Sequence, residues 1–207
     1  NAAGQSKNLI VASSGVSGLA VHGASKEHGH THSIDPHAWH SIDNAQAYVR
    51  NITRALCDTV AALCKEFESN AAAYHLELAD LQRELSRAIA QNAAPSPVIT
   101  IHASIRYLSA DYGLEVIAAK PEHPDSDTSA HELASLLRRA SRSSNASLFW
   151  ENAGQRRLVE QLSRDSGVRL GGRLYTDTLS VPTGPASTYT DMLRHNIAII
   201  LGLKRTR

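Results

Sequence analysis

Residues 97–120, PVITIHASIRYLSADYGLEVIAAK, hold two short apolar runs with a helical stretch between them. PVITI (97–101) reads as a strand, SIRYLSADYG as a helix closed by Gly113, and LEVIAAK (114–120) as a second strand. Strand, helix, strand is the unit of a parallel sheet with crossover helices. Downstream the unit repeats. The loop PEHPDSDTS leads into the helix AHELASLLRRAS, and SLFW (147–150) is a third strand. GQRRLVEQLSRDSG is a helix closed by Gly167, VRLGGRLY (168–175) a fourth strand, and STYTDMLRHNIAIILGLK a last helix after the loop SVPTGPA. The expected class is therefore α/β, with a four-stranded parallel sheet and flanking helices. Ligands of such sheets sit at the carboxyl ends of the strands. There is no GxGxxG or P-loop pattern, which argues against a nucleotide.

Upstream of Pro95 and Pro97 the pattern is helical. Ser69 or Asn70 is placed to cap AAAYHLELADLQRELSRAIAQ, whose apolar stripe is Leu76, Leu78, Leu81, Leu85 and Ile89. A helix of that length reaches about 30 Å, enough for a rigid connector between differently organised segments. An earlier helix runs from an Asp43 cap to about Phe67, with Pro36 in a first turn. Its apolar positions Ala45, Tyr48, Val49, Ile52, Leu56, Val60, Leu63 and Phe67 recur at three and four. NLIVASSGV (8–16) reads as a short buried strand. Cys57 and Cys64 fall seven apart within the first of these helices. Two turns separate them by roughly 10 Å, too far for a disulfide, so they read as small core residues that say little about compartment.

The bulk numbers bound the class. At 207 residues the chain holds one large domain or two small ones, and 42% hydrophobic with 20% charged residues supports a sizeable core. A net charge of +1 with both signs mixed along the chain argues against a nucleic-acid partner and against a polybasic membrane surface. The longest apolar run, IAIILGL (197–203), falls far short of the roughly 20 residues that span a bilayer. The first residue is Asn1, which fits either a removed secretory signal or a start inside a longer protein.

His102 follows the strand PVITI and Asp177 follows the fourth strand, so a parallel sheet opens both onto one edge. Imidazole with carboxylate is ligand chemistry for Zn²⁺ and for harder divalent ions. EHGHTHSIDPHAWHS (27–41) gathers five of the eleven histidines. His37, in DPHAW, stands at a helix start two residues after Asp35, which either caps that turn or accepts the second ring proton of His37. His28, His30 and His32 alternate in a glycine-bearing loop and read either as a low-affinity metal-collecting segment or as a solvated loop. Glu151, after the third strand, is either an outer partner of a ligand or a charge favoured at a helix N-terminus. His75, His123, His131 and His195 read as surface or helix-packing residues. Catalysis fits poorly, for HExxH, GxSxG and close carboxylate pairs are all missing. A metal-dependent hydrolase with scattered ligands and Glu151 as its base stands as the alternative from another class.

These residues together resemble a known group, the zinc- and manganese-binding solute-binding proteins of bacterial ABC transporters. DPHAWHSIDNA resembles that family's DPHxW followed by NA, preceded in zinc members by a His-rich loop. ITIHASIRYLSADYGLE, SLFWENAGQRRLVEQLSRDSGVRLGGRLYTDTLS and GPASTYTDMLRHNIAIILGL resemble its later segments, so that nearly the whole chain is covered. The resemblance implies His37, His102 and Asp177 as metal ligands. It implies two Rossmann-like lobes joined by one long helix: residues 1–69 as the end of a first lobe, 70–91 as the helix and 92–207 as the second lobe. A histidine at position 102 marks the zinc type, a glutamate the manganese type, so Zn²⁺ is the expected cargo and Mn²⁺ or iron the alternative. It further implies a monomeric, non-enzymatic protein, periplasmic or tethered outside the cell, that hands its ion to an inner-membrane ABC permease. A surface-adhesion role, described for relatives, has no independent support in the residues. Two departures stand out. The family's first ligand, another histidine before the strand placed at 8–16, has no equivalent here, which implies a fragment lacking most of the first lobe and an open coordination position. ENAGQ stands where relatives commonly have EPQ, which leaves any family role of Glu151 open.

Overall fold

The computed structural model describes residues 9–20, 34–92, 95–120, 130–140, 143 and 145–203. Its elements in chain order are α1 (Ile42–Thr59), α2 (Cys64–Gln91), β1 (Val98–His102), α3 (Arg106–Tyr112), β2 (Val116–Lys120), α4 (Ala130–Ala140), β3 (Ser147–Trp150), α5 (Arg156–Ser166), β4 (Arg169–Arg173) and α6 (Tyr189–Ile200). Short 3₁₀ turns at Ala38–His40 and Ala61–Leu63 precede the two long helices. The four strands form one parallel sheet in the order β2-β1-β3-β4. Gly113 and Gly167 close α3 and α5 in the left-handed conformation, at φ 65° and 72°, as the sequence predicts.

The period-two alternation of β1 divides the core. Ile99 and Ile101 face one layer with Ile117, Leu136, Leu148, Val159 and Leu162, under α4 and α5. Val98 faces the other layer, where Leu78, Leu81 and Leu85 of α2 meet Leu193, Ile197 and Ile200 of α6. His102 shares the parity of Val98, so the end of the strand carries an imidazole towards the α2–α6 side. Arg194 of α6 reaches Glu84 of α2 at 2.9 Å and Thr190 donates to Glu77 at 3.0 Å, fastening the two helices above the sheet.

Between β3 and β4 the register slips: Leu148 pairs with Leu170, but Phe149 with Gly172, leaving Gly171 as an extra residue. A Cβ built at Gly171 would run into the ring of the fully buried Phe149. Gly171→Ala is accordingly expected to destabilise the chain by about 1–3 kcal/mol, the usual cost of overpacking, measured by urea unfolding. A midpoint equal to the parent's would show that Phe149 moves aside freely.

Several helical expectations are corrected. α1 is capped at Ser41, not Asp43, and stops at Thr59. Val60 adopts φ −134°, ψ 70°, and the 3₁₀ turn sends the chain back, so that the long helix starts at Cys64 and not at Ser69 or Asn70. The reversal brings Cys57 and Cys64 to a Cα separation of 4.5 Å, joined by a disulfide. The expected 10 Å assumed one uninterrupted helix, and TVAAL contains neither Gly nor Pro to signal the break. The apolar stripe of α1 is covered at Ala45 and Val49, whereas Ile52, Leu56, Val60 and Leu63 are exposed. On α2, Leu78, Leu81 and Leu85 are buried as expected, but Leu76 is 70% exposed because it lies off the face that meets the sheet layer. Residues 9–16 are not a buried strand: Leu9, Ile10 and Val11 are exposed, and Ser13–Ser14–Gly15 turn the chain, with φ 73° at Gly15. Asn51 of α1 holds that turn by donating to the carbonyls of Ala12 and Ser14 at 2.8 Å each.

Candidate metal centre

Three carboxyl-end loops and the segment before α1 converge at one place. His37 arrives on a segment clamped from several sides. Asn44, buried in α1, accepts from the Ser17 amide at 2.9 Å and donates to the carbonyls of Ser17 and Ala38 at 3.1 and 3.3 Å. The Trp39 indole donates to the Thr176 carbonyl at 2.8 Å, and the Tyr189 hydroxyl donates to the Trp39 carbonyl at 2.7 Å. These bonds tie the His37 segment directly to the residue preceding Asp177. The Tyr175 backbone is itself fixed by the side-chain amide of buried Asn196, whose Oδ1 accepts from the Tyr175 amide at 2.9 Å and whose Nδ2 donates to the Tyr175 carbonyl at 2.7 Å.

One carboxylate orients His37. Asp35 Oδ1 accepts from the His37 amide at 3.0 Å and meets Nδ1 at 2.8 Å, so both contacts anticipated for Asp35 are present at one oxygen. The other oxygen faces Arg106 at 3.4 Å, and the Tyr107 hydroxyl donates to the Asp35 carbonyl at 2.8 Å. Burial works to raise the pKa of Asp35, but hydrogen bonds from His37 and the positive charge of Arg106 hold it below the usual carboxylate value.

A parallel arrangement surrounds His102. Its Nδ1 lies 2.8 Å from Glu151 Oε2, an ion-pair contact without in-line hydrogen-bond direction, and the Ser104 hydroxyl donates to Oε1 of the same carboxylate. Gln155 accepts from the Glu151 amide at 3.0 Å. Burial disfavours the charged imidazole of His102, yet Glu151 foremost, with Asp177 and Asp35, outweighs it and lifts the pKa above the usual value. With each Nδ1 engaged by a carboxylate, Nε2 is the free donor of both rings. His37 Nε2 stands 3.8 Å from Asp177 Oδ1, and the two ring centroids are 5.3 Å apart. His102 Nε2 is buried and makes no hydrogen bond.

One donor atom each from His37, His102 and Asp177 lies within 4.8 Å of the others. Tetrahedral Zn²⁺ with bonds near 2.0–2.1 Å sets its ligands about 3.3 Å apart, so a contraction of under about 1.5 Å closes the set. His37 and His102 are each 3% exposed, whereas the Asp177 side chain is half exposed. The residues singled out in the sequence thus divide cleanly. His37, His102, Asp177, Asp35 and Glu151 come together. His28, His30, His32 and His123 lie outside the described residues, as does the side chain of His131. His195 packs on α6 against Tyr175 with Nε2 3.0 Å from the Arg173 carbonyl, and His75 is half-buried on α2, both as expected.

The sequence reading did not single out Ser104, Arg106, Tyr107 or His40. His40 is fully buried behind the site, its ring tilted 41° to that of Trp39, with both ring nitrogens lacking a hydrogen bond; the Thr176 backbone is near but out of bonding geometry. Burial, with His37 adding repulsion, pushes its pKa down to about 3. Only its place in DPHAWH, one turn after His37, marked it out.

Comparison with known proteins gives the family. The model of the family described as zinc-uptake complex component A, periplasmic (ZnuA), matches residues 1–202. The zinc-binding lipoprotein AdcA of Streptococcus pneumoniae is 34% identical over 143 residues, covering 69% of this chain and 28% of AdcA. The iron ABC transporter substrate-binding lipoprotein MtsA of Streptococcus pyogenes is 26% identical over 196 residues, covering 93% of this chain and 61% of MtsA. A manganese-bound periplasmic metal binding protein of Candidatus Liberibacter asiaticus superposes with a TM-score of 0.75 at 26% identity, over 93% of this chain and 69% of that one. The chain thus spans less than a third of AdcA and about three fifths of MtsA.

Proposed function

We propose, because the chain belongs to the zinc-uptake complex component A periplasmic family, that it is the ion-capturing component of an ABC-type uptake system and that its cargo is Zn²⁺. The observation that carries this reading is the buried Nε2 of His102, without any hydrogen bond, facing the free nitrogen of His37 and the carboxylate of Asp177. A buried polar atom without a partner is costly, and an ion shared with two further donors satisfies it. His37, His102 and Asp177 are the proposed ligands, with a fourth position left to water or to a further donor. Asp35, bonded to His37 Nδ1, sets the tautomer that presents Nε2 of that ring, and the Glu151 carboxylate beside His102 Nδ1 leaves Nε2 of His102 as the atom facing the other two donors. Two imidazoles favour zinc over the harder manganese ion.

The wider assignment follows the same reading. On this reading residues 92–207 belong to a second α/β lobe and residues 1–69 to the end of a first, joined by the long helix, which starts at Cys64 and so takes in the last residues of that first span. The protein acts as a monomer outside the cytoplasmic membrane and delivers its ion to a membrane permease. The Cys57–Cys64 disulfide supports an oxidising compartment, as do the words periplasmic and lipoprotein in the names of its relatives. No helix among the described residues is long and apolar enough to cross a membrane.

Calorimetric titration of Zn²⁺ and Mn²⁺ into the metal-free chain tests the reading. One zinc equivalent bound more tightly than manganese is expected. Preference for manganese would reverse the cargo alone, and failure of both ions to bind would remove the uptake reading. Glu151→Gln keeps the shape at position 151 and removes the charge that faces His102. It is expected to weaken zinc binding about 10- to 100-fold in a chelator competition, the usual effect of losing an outer partner. Unchanged affinity would reduce Glu151 to a packing residue.

A further inference from the structure

A second group of metal-ligating side chains lies at the turn between α1 and α2. Cys57 sits in the last turns of α1, Cys64 is the first residue of α2, and Glu68 follows one turn later on the same helix face. One donor atom from each lies within 4.8 Å of the others. The cysteines are half-buried and Glu68 is exposed, so a reductant and an ion reach them from solvent. The group shares no residue with the site around His37 and His102.

The proximity of the two cysteines is not made by the sulfur–sulfur bond alone. Ala45 near the start of α1 packs among Leu78, Leu81 and Leu85 of α2, and Asp43 faces Gln82 at 3.5 Å. Those contacts, at the far end of the hairpin, run the two helices back along each other and return Cys57 to Cys64. The N-terminus of a 28-residue helix also favours a thiolate at Cys64 through its dipole.

We propose that Cys57, Cys64 and Glu68 form a redox-gated second metal site, closed as the disulfide and competent as the dithiol for one thiophilic divalent ion such as Zn²⁺. A protein dithiol supplies the two electrons that break the Cys57–Cys64 bond, closes its own disulfide, and passes its two protons to the released sulfurs. Metal binding then displaces those two protons, and the ion is held by two thiolates and the Glu68 carboxylate, with water completing the tetrahedron. Transfer of two electrons from the thiolates to an acceptor disulfide re-forms the bond and expels the ion. The gate leaves the His37–His102 site in place, so the chain carries one ion when oxidised and two when reduced.

The test uses the full chain and a water-soluble phosphine, which cleaves the disulfide while becoming a phosphine oxide with oxygen from water and leaves no thiol to chelate the ion. Co²⁺ and then Zn²⁺ are titrated into oxidised and reduced protein. Reduction is expected to raise zinc stoichiometry by one equivalent and to bring up a thiolate-to-cobalt charge-transfer band that zinc bleaches. Cys57→Ser is expected to remove the band, and Glu68→Gln to keep it with weaker affinity. Unchanged stoichiometry without a band in a reduced chain that keeps its helical circular dichroism would overturn the proposal. So would a full-strength band in Cys57→Ser, or loss of the helical signal on reduction, since the site needs the hairpin intact.

Discussion

Asp177→Ala and His102→Ala are each expected to lose zinc affinity by at least about 100-fold in a chelator competition. Complete four-ligand zinc sites bind with roughly 10–16 kcal/mol, so one protein ligand is worth on the order of 3 kcal/mol, or about 100-fold. That exceeds the effect expected of Glu151→Gln because a ligand is removed instead of reoriented. The two variants separate binding from folding. Asp177 is half exposed, and its one side-chain hydrogen bond among the described contacts is a 3.3 Å bond from Thr176, so Asp177→Ala should unfold at the parent's temperature. His102→Ala strips the buried Glu151 of its imidazole partner and should be less stable as well. Parent-like zinc affinity in Asp177→Ala would remove Asp177 from the ligand set, whatever the second variant does.

The second large effect concerns acid. His40 is neutral in the folded chain down to about 3, whereas the unfolded chain protonates it near 6.5. A folded pKa depressed in this way means that stability is full above 6.5 and is lost as pH falls towards 3. At about 1.4 kcal/mol per pH unit the loss amounts to on the order of 5 kcal/mol, a large share of a typical domain's stability. The neighbouring groups act in other windows. His102, whose pKa is raised, adds stability that is already complete below 6.5 and disappears as pH rises through its folded value. Asp35, whose pKa is lowered, begins to matter only as pH drops below about 4. Of these three groups, His40 therefore governs the interval between. Urea unfolding of the metal-free chain at a series of pH values should show a steep acid limb there. His40→Leu should flatten it, since neither ring nitrogen makes a hydrogen bond that leucine would forfeit. An equally steep limb in His40→Leu would place the acid sensitivity elsewhere.

The sheet was legible because β1, β2 and β3 are short, mainly apolar runs and Gly113 and Gly167 mark helix ends in the left-handed conformation, whereas β4, RLGGR, is marked by its place after α5 more than by its residues. The site was legible because ligands of a parallel sheet gather at its carboxyl edge, which is where His102 and Asp177 fall. The hairpin of α1 and α2 was not. Thr59–Leu63 holds three strong helix formers, Ala61, Ala62 and Leu63, beside the weaker Thr59 and Val60, so local preference favours continuing the helix, and packing between Ala45 and the leucines of α2 overrides it. That mistake carried the cysteines with it, for a disulfide judged from spacing depends on the backbone assumed between its ends. His40 was hidden for another reason: burial of an imidazole is a property of the folded surroundings, and nothing in DPHAWH distinguishes the ring that faces His102 and Asp177 from the ring that is buried behind them.

The unequal exposure of the three proposed ligands bears on kinetics as much as on affinity. His37 and His102 are sealed in place, each with a carboxylate at its back, and Asp177 alone meets solvent. If these three residues hold the ion as proposed, an ion arriving with its water shell would meet the carboxylate first and exchange its last waters for the imidazoles inside, and would retrace that order on leaving. On that reading residence time would be set at the outer rim, where one side chain trades places with water, and selectivity at the inner wall. A partner that draws Asp177 aside would speed release without altering which ion the site prefers.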